Sequence, residues 1–199
     1  MNIENYKYHH GNLRDEILTA AYNFVSENGY AAMSLRSIAE NCNVSATAIY
    51  RHYKTKEHLL ADVVVKGFIE FNLFVEGDSE ANIFDKCDNY LEFAFDNKNI
   101  YDLLFSQSVV EFLQFPNILE VADSSFQTLL ESVKDHDRSL NDLSASNKAI
   151  HIWSFLHGIS SISKKMDVAL SLPDSEMPVP VRSVKRARSN LRQFIEDLF

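Results

Sequence analysis

The chain is poor in the residues that interrupt helices. Its 199 residues include five glycines and four prolines, and most segments between them carry apolar residues at three- and four-residue spacing. Glycine and proline are the strongest breakers of regular structure, and this spacing is that of one helix face. The sequence therefore predicts an all-α protein.

Cysteine and long apolar runs are also scarce. Cys42 and Cys87 form no Cys-x-x-Cys pair, so we expect small buried hydrophobic residues rather than a disulfide or zinc site. No run of about 18 apolar residues is present, and the N-terminal stretch MNIENYKYHHGNLRDE lacks the apolar core of a secretory signal. These absences predict a cytoplasmic protein with no membrane partner.

The patterns of common catalytic sites are missing as well. There is no Glu-x-x-His pair of a di-iron bundle, no nucleophile elbow, no phosphate loop and no His-rich metal site. Residues 134–137 read Lys-Asp-His-Asp, but adjacent helical positions point apart. We therefore expect a protein that is not an enzyme and that binds no cofactor or metal.

Charge is distributed unevenly along the chain, whose formal net charge is −9. Residues 1–60 carry six Lys or Arg and six Asp or Glu, whereas the other 139 residues carry 13 basic and 22 acidic side chains. A polyanion would be repelled by most of this surface and tolerated only near the N-terminal segment.

Capping residues divide the first 60 residues into short helices. Ser34, Ser45 and Thr55 each precede an apolar-periodic segment, as helix N-caps do. Asn43 stands between the second and third segments, where a tight turn needs a residue that tolerates positive φ. The predicted helices are Leu13 to Asn28, Ser34 to Cys42, Ser45 to Tyr53, and one beginning at Lys56. The second and third form a helix-turn-helix.

The rest of the chain is predicted to be a helical bundle, with helices near 81–96, 98–114, 117–136, 145–170 and 183–198. The final helix carries an apolar stripe at three- and four-residue steps, formed by Val184, Ala187, Leu191, Phe194 and Leu198. Such a stripe either belongs to the intrachain core or pairs with another helix.

The third helix lies in the stretch SATAIYRHYKTKEHL, residues 45–59. A charged helical run is ordinarily only a solvated face. Here, however, Ala48, Ile49 and Tyr53 can face the core while small residues occupy the exposed start, which lets the backbone approach another surface. That arrangement is typical of a recognition helix, whose N-terminal residues meet base edges in the major groove.

The segment from Leu13 to Asp62 closely resembles the DNA-binding head of the TetR family of bacterial one-component regulators. The resemblance rests on four elements in order: AAYNFVSENGY, SLRSIA, NVS and YRHYKTKEHL. Asn43 stands where glycine is commoner in the family, and His58 where an acidic residue often completes the next cap. The resemblance implies a DNA-binding domain over 1–62 and a helical ligand-binding and dimerisation domain over 63–199.

The resemblance also implies roles for individual residues. Backbone phosphates would be held by the Ser34 and Arg36 region with Tyr50, His52 and Lys56, and bases by residues 45–48 with Arg51. The full set of candidate DNA contacts is Ser34, Arg36, Ser45, Ala46, Thr47, Tyr50, Arg51, His52, Lys54 and Lys56. The N-terminal arm YKYHHGNLR adds Lys7, His9, His10 and Arg14, and the sequence leaves open whether it reaches DNA or forms a tail.

In the body, the segment WSFLHG, residues 153–158, resembles the Trp-His-Gly signature of one TetR effector domain. Each body aromatic is by default core, and the alternative is a wall of a small-molecule pocket. The candidate ligand residues are Phe93, Phe105, Phe112, Phe126, Trp153 and His157. Gly158, inside a helix, suggests close approach of a ligand or another backbone.

The expected function is a ligand-responsive, homodimeric transcription factor, a repressor that binds a double-stranded DNA operator. Family resemblance implies a dimer through the last two long helices and a small apolar or amphipathic effector. The alternative is a helical-bundle ligand-binding or interaction protein without operator binding.

Overall fold

The computed structural model describes residues 13–105 and 115–199. Every regular element in these ranges is a helix, which confirms the all-α prediction. Among them, no helix combines the length and the apolar character needed to cross a membrane. The helices are α1 Leu13–Asn28, α2 Leu35–Asn41, α3 Ala46–His52, α4 Lys56–Glu76, α5 Ile83–Asp96, α6 Lys98–Leu104, α7 Pro116–His136, α8 Asp142–Lys165, α9 Asp167–Leu170, α10 Val179–Ser189 and α11 Leu191–Glu196.

The chain forms two compact units. The first comprises Met1–Gly67 and Asn99–Ile118, and the second comprises Phe68–Lys98 and Leu119–Phe199. The first unit is therefore not one continuous piece of sequence. The predicted domain boundary between residues 62 and 63 stays a prediction.

In the first unit, one face of each of the helices α1 to α4 contributes to the core. Ile17 on α1, Ile38 on α2, Ile49 on α3 and Leu59 on α4 are all fully buried. The predicted stop of α1 is present, because Gly29 has a φ of 77° and its N–H donates to the carbonyl of Val25 at 2.8 Å.

Residues 99–104 of α6 belong to the first unit although about 45 residues separate α6 from α3. The side-chain amide of Asn99 donates to the carbonyl of Ser26 at 2.8 Å. A Cβ placed on Gly67 would lie 3.0 Å from Cδ2 of Leu104 and 3.3 Å from Cγ2 of Ile100. The missing side chain at Gly67 therefore lets α6 lie directly against α4.

The second unit has α5 packed against α8 and α11. Phe71 from α4 lies edge-on to Tyr90 and Phe93 of α5, with ring centroids 5.3 and 5.1 Å apart. Cys87 on the same helix is 1% exposed, as expected for a small hydrophobic residue, whereas Cys42 in the first unit is only half-buried because it caps the end of α2.

The C-terminal part of the chain departs from the predicted helices. Helix α8 ends at Lys165, and the predicted 183–198 helix is two helices that meet at Asn190. Asn190 has φ −123° and ψ 34°, outside the α-helical region. Leu191 and Ile195 beyond it are buried, whereas Phe194 is exposed and stacks on Phe155, with ring centroids 5.5 Å apart. The remaining upstream stripe residues are buried within the chain: Val184 and Ala187.

Candidate nucleic-acid interface

Helix α2 begins with a reciprocal cap. The hydroxyl of Ser34 accepts a hydrogen bond from the N–H of Ser37 at 3.1 Å, and the hydroxyl of Ser37 accepts one from the N–H of Ser34 at 3.0 Å. This pairing satisfies two backbone donors that the first helical turn leaves without partners. The cap confirms Ser34 as the start of α2 and leaves Ser34 exposed.

The turn between α2 and α3 depends on Asn43. Its φ is 53°, in the left-handed region, and its N–H donates to the carbonyl of Glu40 at 3.1 Å. The next N–H, of Val44, donates to the carbonyl of Ala39 at 3.0 Å. The turn predicted from the sequence is therefore present, and the departure from the family's commoner glycine is accommodated.

The N-terminal residues of helix α3 and its polar side are exposed to solvent. The hydroxyl of Ser45 accepts from the N–H of Ala48 at 3.2 Å, which fixes the helix start. Ile49 and Tyr53 face inward and are 0% and 2% exposed. The exposed members of the predicted set on this segment are Ser45, Ala46, Thr47, Tyr50, Arg51 and His52, whereas Ala48 is half-buried.

The remaining candidate contacts differ in how they are held. Arg36 is exposed and its Nε donates to Glu40 at 3.2 Å, one helical turn away. Lys54 is exposed. Lys56 is half-buried, and its Nζ donates to the carbonyl of Ala31 at 3.4 Å. Lys56 therefore lies where the loop before α2 meets the start of α4.

Thr55 caps α4 as predicted. Its hydroxyl oxygen accepts from the N–H of His58 at 3.4 Å and lies 3.0 Å from Nδ1 of the same residue. A hydrogen bond with Thr55 also lowers the pKa of the Glu57 carboxyl. The His58 ring, which stands where the family more often has an acidic residue, lies beside the Thr55 hydroxyl and edge-on to Phe115, with ring centroids 5.5 Å apart.

Sequence reasoning missed a polar cluster behind the recognition helix. Nη2 of Arg14 and the hydroxyl of Tyr53 both donate to Oδ2 of Asp62, each at 2.9 Å, and the guanidinium of Arg14 lies 5.5 Å from the Tyr53 ring centre. Burial raises the pKa of Tyr53 to about 12. Arg14, which the sequence placed both at the end of the arm and within the predicted first helix, is part of α1. The other arm residues, Lys7, His9 and His10, lie outside the described residues.

In the second unit, three of the candidate ligand residues come together. Phe126 on α7 lies edge-on to Trp153 on α8 at 6.5 Å, and Trp153 lies 6.1 Å from His157. All three are half-buried. Burial lowers the pKa of His157, which favours the neutral imidazole.

Two of the other candidate ligand residues have ring contacts of their own. Phe93 is buried, with its ring 5.1 Å from Phe71 and 5.8 Å from Phe74, as in a packed core. Phe105 belongs to the first unit and lies 4.7 Å from Tyr101. Phe112 lies outside the described residues.

Gly158 was expected to permit close approach. A Cβ built on it meets no heavy atom within 4 Å among the described residues outside its own stretch of helix, so none of them makes the expected close approach. Among the described residues, Gly158 therefore borders open space.

Two family models match successive parts of the chain. The model described as bacterial regulatory proteins, tetR family, matches residues 17–63, which include α2, the turn and α3. The model described as tetracyclin repressor-like, C-terminal domain, matches residues 83–176. Together they cover more than two thirds of the sequence.

Individual proteins are similar to parts or all of the chain. The HTH-type transcriptional repressor KstR of Rhodococcus jostii is 34% identical over 55 residues, which are 28% of this chain and 26% of that repressor. The chain thus spans about a quarter of the length of this curated relative.

Among solved structures, a protein of unknown function from Rhodococcus sp. RHA1 superposes with a TM-score of 0.68 at 20% identity, covering 93% of this chain and 96% of that one. FadR of Bacillus subtilis in complex with stearoyl-CoA gives 0.62 at 19% identity, covering 88% and 97%. These likenesses show a shared fold, and with both family models matched in order, the chain belongs to the tetR family of bacterial regulatory proteins.

Proposed function

We propose that the protein is a sequence-specific DNA-binding transcriptional regulator, acting as a homodimeric, ligand-responsive repressor in the cytoplasm. The observation that carries this proposal is the solvent-exposed start of α3, where Ser45, Ala46 and Thr47 precede the exposed Tyr50 and Arg51. A short capped helix with small exposed residues at its start can enter a major groove.

The exposed side chains of α3 divide by chemistry into two groups. Ala46 offers only apolar contact, which suits a thymine methyl group, while Thr47, Tyr50 and Arg51 supply hydrogen bonds to base edges. The cationic and capping groups around them would hold phosphates and fix the register on the duplex. Those phosphate candidates are Ser34, Arg36, His52, Lys54 and Lys56, and Tyr50, which the family resemblance assigns to the phosphates, can serve in either group.

A second copy of the chain would provide a second DNA-binding head. One short helix with few base contacts gives little sequence specificity, whereas two heads one DNA turn apart, roughly 34 to 36 Å, double the number of contacts to DNA. Support for a dimer comes from α8, where Leu143, Ile150 and Ile162 are 72%, 39% and 43% exposed on the side that also carries the open Gly158. We propose that α8 and the final helical segment, α10 with α11, form the interface with the second copy.

The group of Phe126, Trp153 and His157 is the proposed contact surface for an effector. Two aromatic rings with one half-buried imidazole fit a mostly apolar compound that has a polar group. The stearoyl-CoA complex of FadR, which shares the fold, agrees with an amphipathic effector of this kind. To release DNA, the effector must bind two states of the dimer with affinities that differ by about 1–3 kcal/mol.

The test is direct DNA binding by the full-length chain. We would select duplexes from a random-sequence library, then titrate the selected and a scrambled duplex at several salt concentrations. The proposal predicts at least a hundredfold preference for the selected duplex and a linear fall of log affinity with log salt. Equal, salt-insensitive retention of both duplexes would favour the alternative, a helical interaction protein without operator binding.

A further inference from the structure

The cluster behind α3 joins three helices of the first unit at a single oxygen atom. Oδ2 of Asp62, on α4, accepts from the guanidinium of Arg14, on α1, and from the hydroxyl of Tyr53, each at 2.9 Å. Tyr53 is the residue at which α3 ends, and its N–H donates to the carbonyl of Ile49 at 2.9 Å. The C-terminal end of α3 is therefore tied through one side chain to both flanking helices.

We propose that Arg14, Asp62 and Tyr53 form a positioning triad that sets the orientation of α3 for base readout, an inference that rests on the proposed DNA-binding function. In this proposal none of the three has to contact a base or a phosphate. Tyr53 is 2% exposed, and the guanidinium of Arg14 is held by Asp62 and lies over the Tyr53 ring. The triad acts through the helix that Tyr53 terminates.

Positioning matters here because α3 is only seven residues long. A helix of that length has little stability of its own and takes its orientation from the residues that pack against it. Ile49 anchors α3 by apolar burial, which restrains its distance from the core but not its rotation. A directional hydrogen bond from the Tyr53 hydroxyl adds the rotational restraint.

The charges of the triad separate positioning from simple electrostatics. Removing the positive charge of Arg14 weakens DNA binding under either explanation. Removing the negative charge of Asp62 makes the net charge of the first unit more positive, which favours binding to the DNA polyanion. Electrostatics alone therefore predicts tighter binding for Asp62→Asn. Positioning predicts weaker binding instead, because the acceptor for both donors loses its charge.

The experiment compares Arg14→Gln, Asp62→Asn, the double variant and Tyr53→Phe in the full-length chain. The control is Lys134→Gln, which breaks the exposed Lys134–Asp142 ion pair of the second unit. Each protein is titrated with the selected and scrambled duplexes over a salt series, and amide hydrogen exchange is followed in α1 and α3 without DNA.

The triad is supported if Arg14→Gln and Asp62→Asn each lose tenfold or more on the selected duplex. Binding of the scrambled duplex should change less than threefold, with an unaltered salt slope. Tyr53→Phe should lose at least threefold, and the double variant should be no weaker than the weaker single variant, as expected for groups that act as one unit.

Three results would overturn it. The first is tighter binding of both duplexes by Asp62→Asn. The second is an equal loss of affinity for both duplexes by Arg14→Gln with a salt slope reduced by about 0.9, as expected for a direct phosphate contact. The third is wild-type DNA binding by all variants. If the wild type binds no duplex, the proposed function fails separately. In that case the amide hydrogen exchange rates test the positioning role of the triad. Asp62→Asn must speed exchange in α3 at least tenfold relative to α1, and an unchanged rate refutes the positioning role.

Discussion

The backbone N–H of Asn43 donates to the carbonyl oxygen of Glu40 at 3.1 Å while Asn43 holds a φ of 53°. This one residue reverses the chain between α2 and α3 and so sets where α3 begins. A left-handed backbone is strained for most side chains, and asparagine is among those that tolerate it best after glycine.

We therefore expect Asn43→Ala to lower the free energy of unfolding by about 1 kcal/mol, and Asn43→Gly to change it by less than about 0.5 kcal/mol. Urea unfolding followed by circular dichroism measures both. Asn41→Ala, in helical backbone two residues earlier, is the matched control and should not destabilise. An Asn43→Ala variant as stable as the wild type would show that the turn is not strained.

Arg51 and Lys56 are expected to differ in the kind of DNA contact they make. Arg51→Ala should weaken binding to a selected duplex by about 1–3 kcal/mol and relax the base preference at one position of each half-site. Lys56→Ala should weaken all duplexes alike and lower the salt slope by about 0.9 for each phosphate that the lysine neutralises in the wild type.

Gel-shift titrations of both variants on selected, single-base-altered and scrambled duplexes separate these outcomes. Because Lys56 also donates to the carbonyl of Ala31, a thermal melt of Lys56→Ala accompanies the titration. Identical binding by both variants and the wild type would remove the two roles.

Much of the first unit could be predicted because its signals are local. Ser34, Ser45 and Thr55 cap helices through bonds to residues three positions away, and Asn43 supplies the turn. Such contacts leave their pattern in a short stretch of sequence. The helix starts and the reversal between α2 and α3 were therefore confirmed by the structure.

Longer-range features left no such pattern. The bond between Arg14 and Asp62 joins positions 48 residues apart. Nothing in the sequence around either residue indicates that the other is its partner. The break at Asn190 contains no glycine or proline, so the sequence predicted one continuous helix there. The buried side continues past the break at Leu191 and Ile195, whereas Phe194, which the sequence assigned to the stripe, is exposed.

The exposed apolar side of α8 predicts how the protein assembles. Ile150→Glu would place an unpaired charge in an interface formed by this side, which is strongly unfavourable, so the dimer dissociation constant should rise at least about tenfold. Leu73→Glu, at an exposed apolar position on α4, is the control and should assemble like the wild type. Sedimentation equilibrium over a range of concentrations checks both, and equal association of the two variants would place the interface elsewhere.

His157 should make stability depend on pH in a defined direction. Burial holds its folded-state pKa below that of the unfolded chain, which is near 6.5. The unfolded chain therefore binds more protons as pH falls through that range, and the free energy of unfolding decreases on acidification. Removing the imidazole should reduce this loss.

Urea unfolding of the wild type and His157→Gln at pH 7.5 and pH 5.5 measures the effect. The exposed His151 on the same helix provides the control, and His151→Gln should keep the full acid sensitivity of the wild type. If His157→Gln loses as much stability as the wild type on acidification, burial of this imidazole does not govern the response.

The close packing of α6 on Gly67 and the bond from Asn99 to Ser26 bear on how the protein can be divided by genetic engineering. A fragment cut at residue 63, where the matched family model ends, would leave out a wall that the intact chain supplies from residues 99–104. A hybrid that joins this head to a foreign body would need that later helix transplanted as well, because the module that folds is not the module that sequence matching outlines.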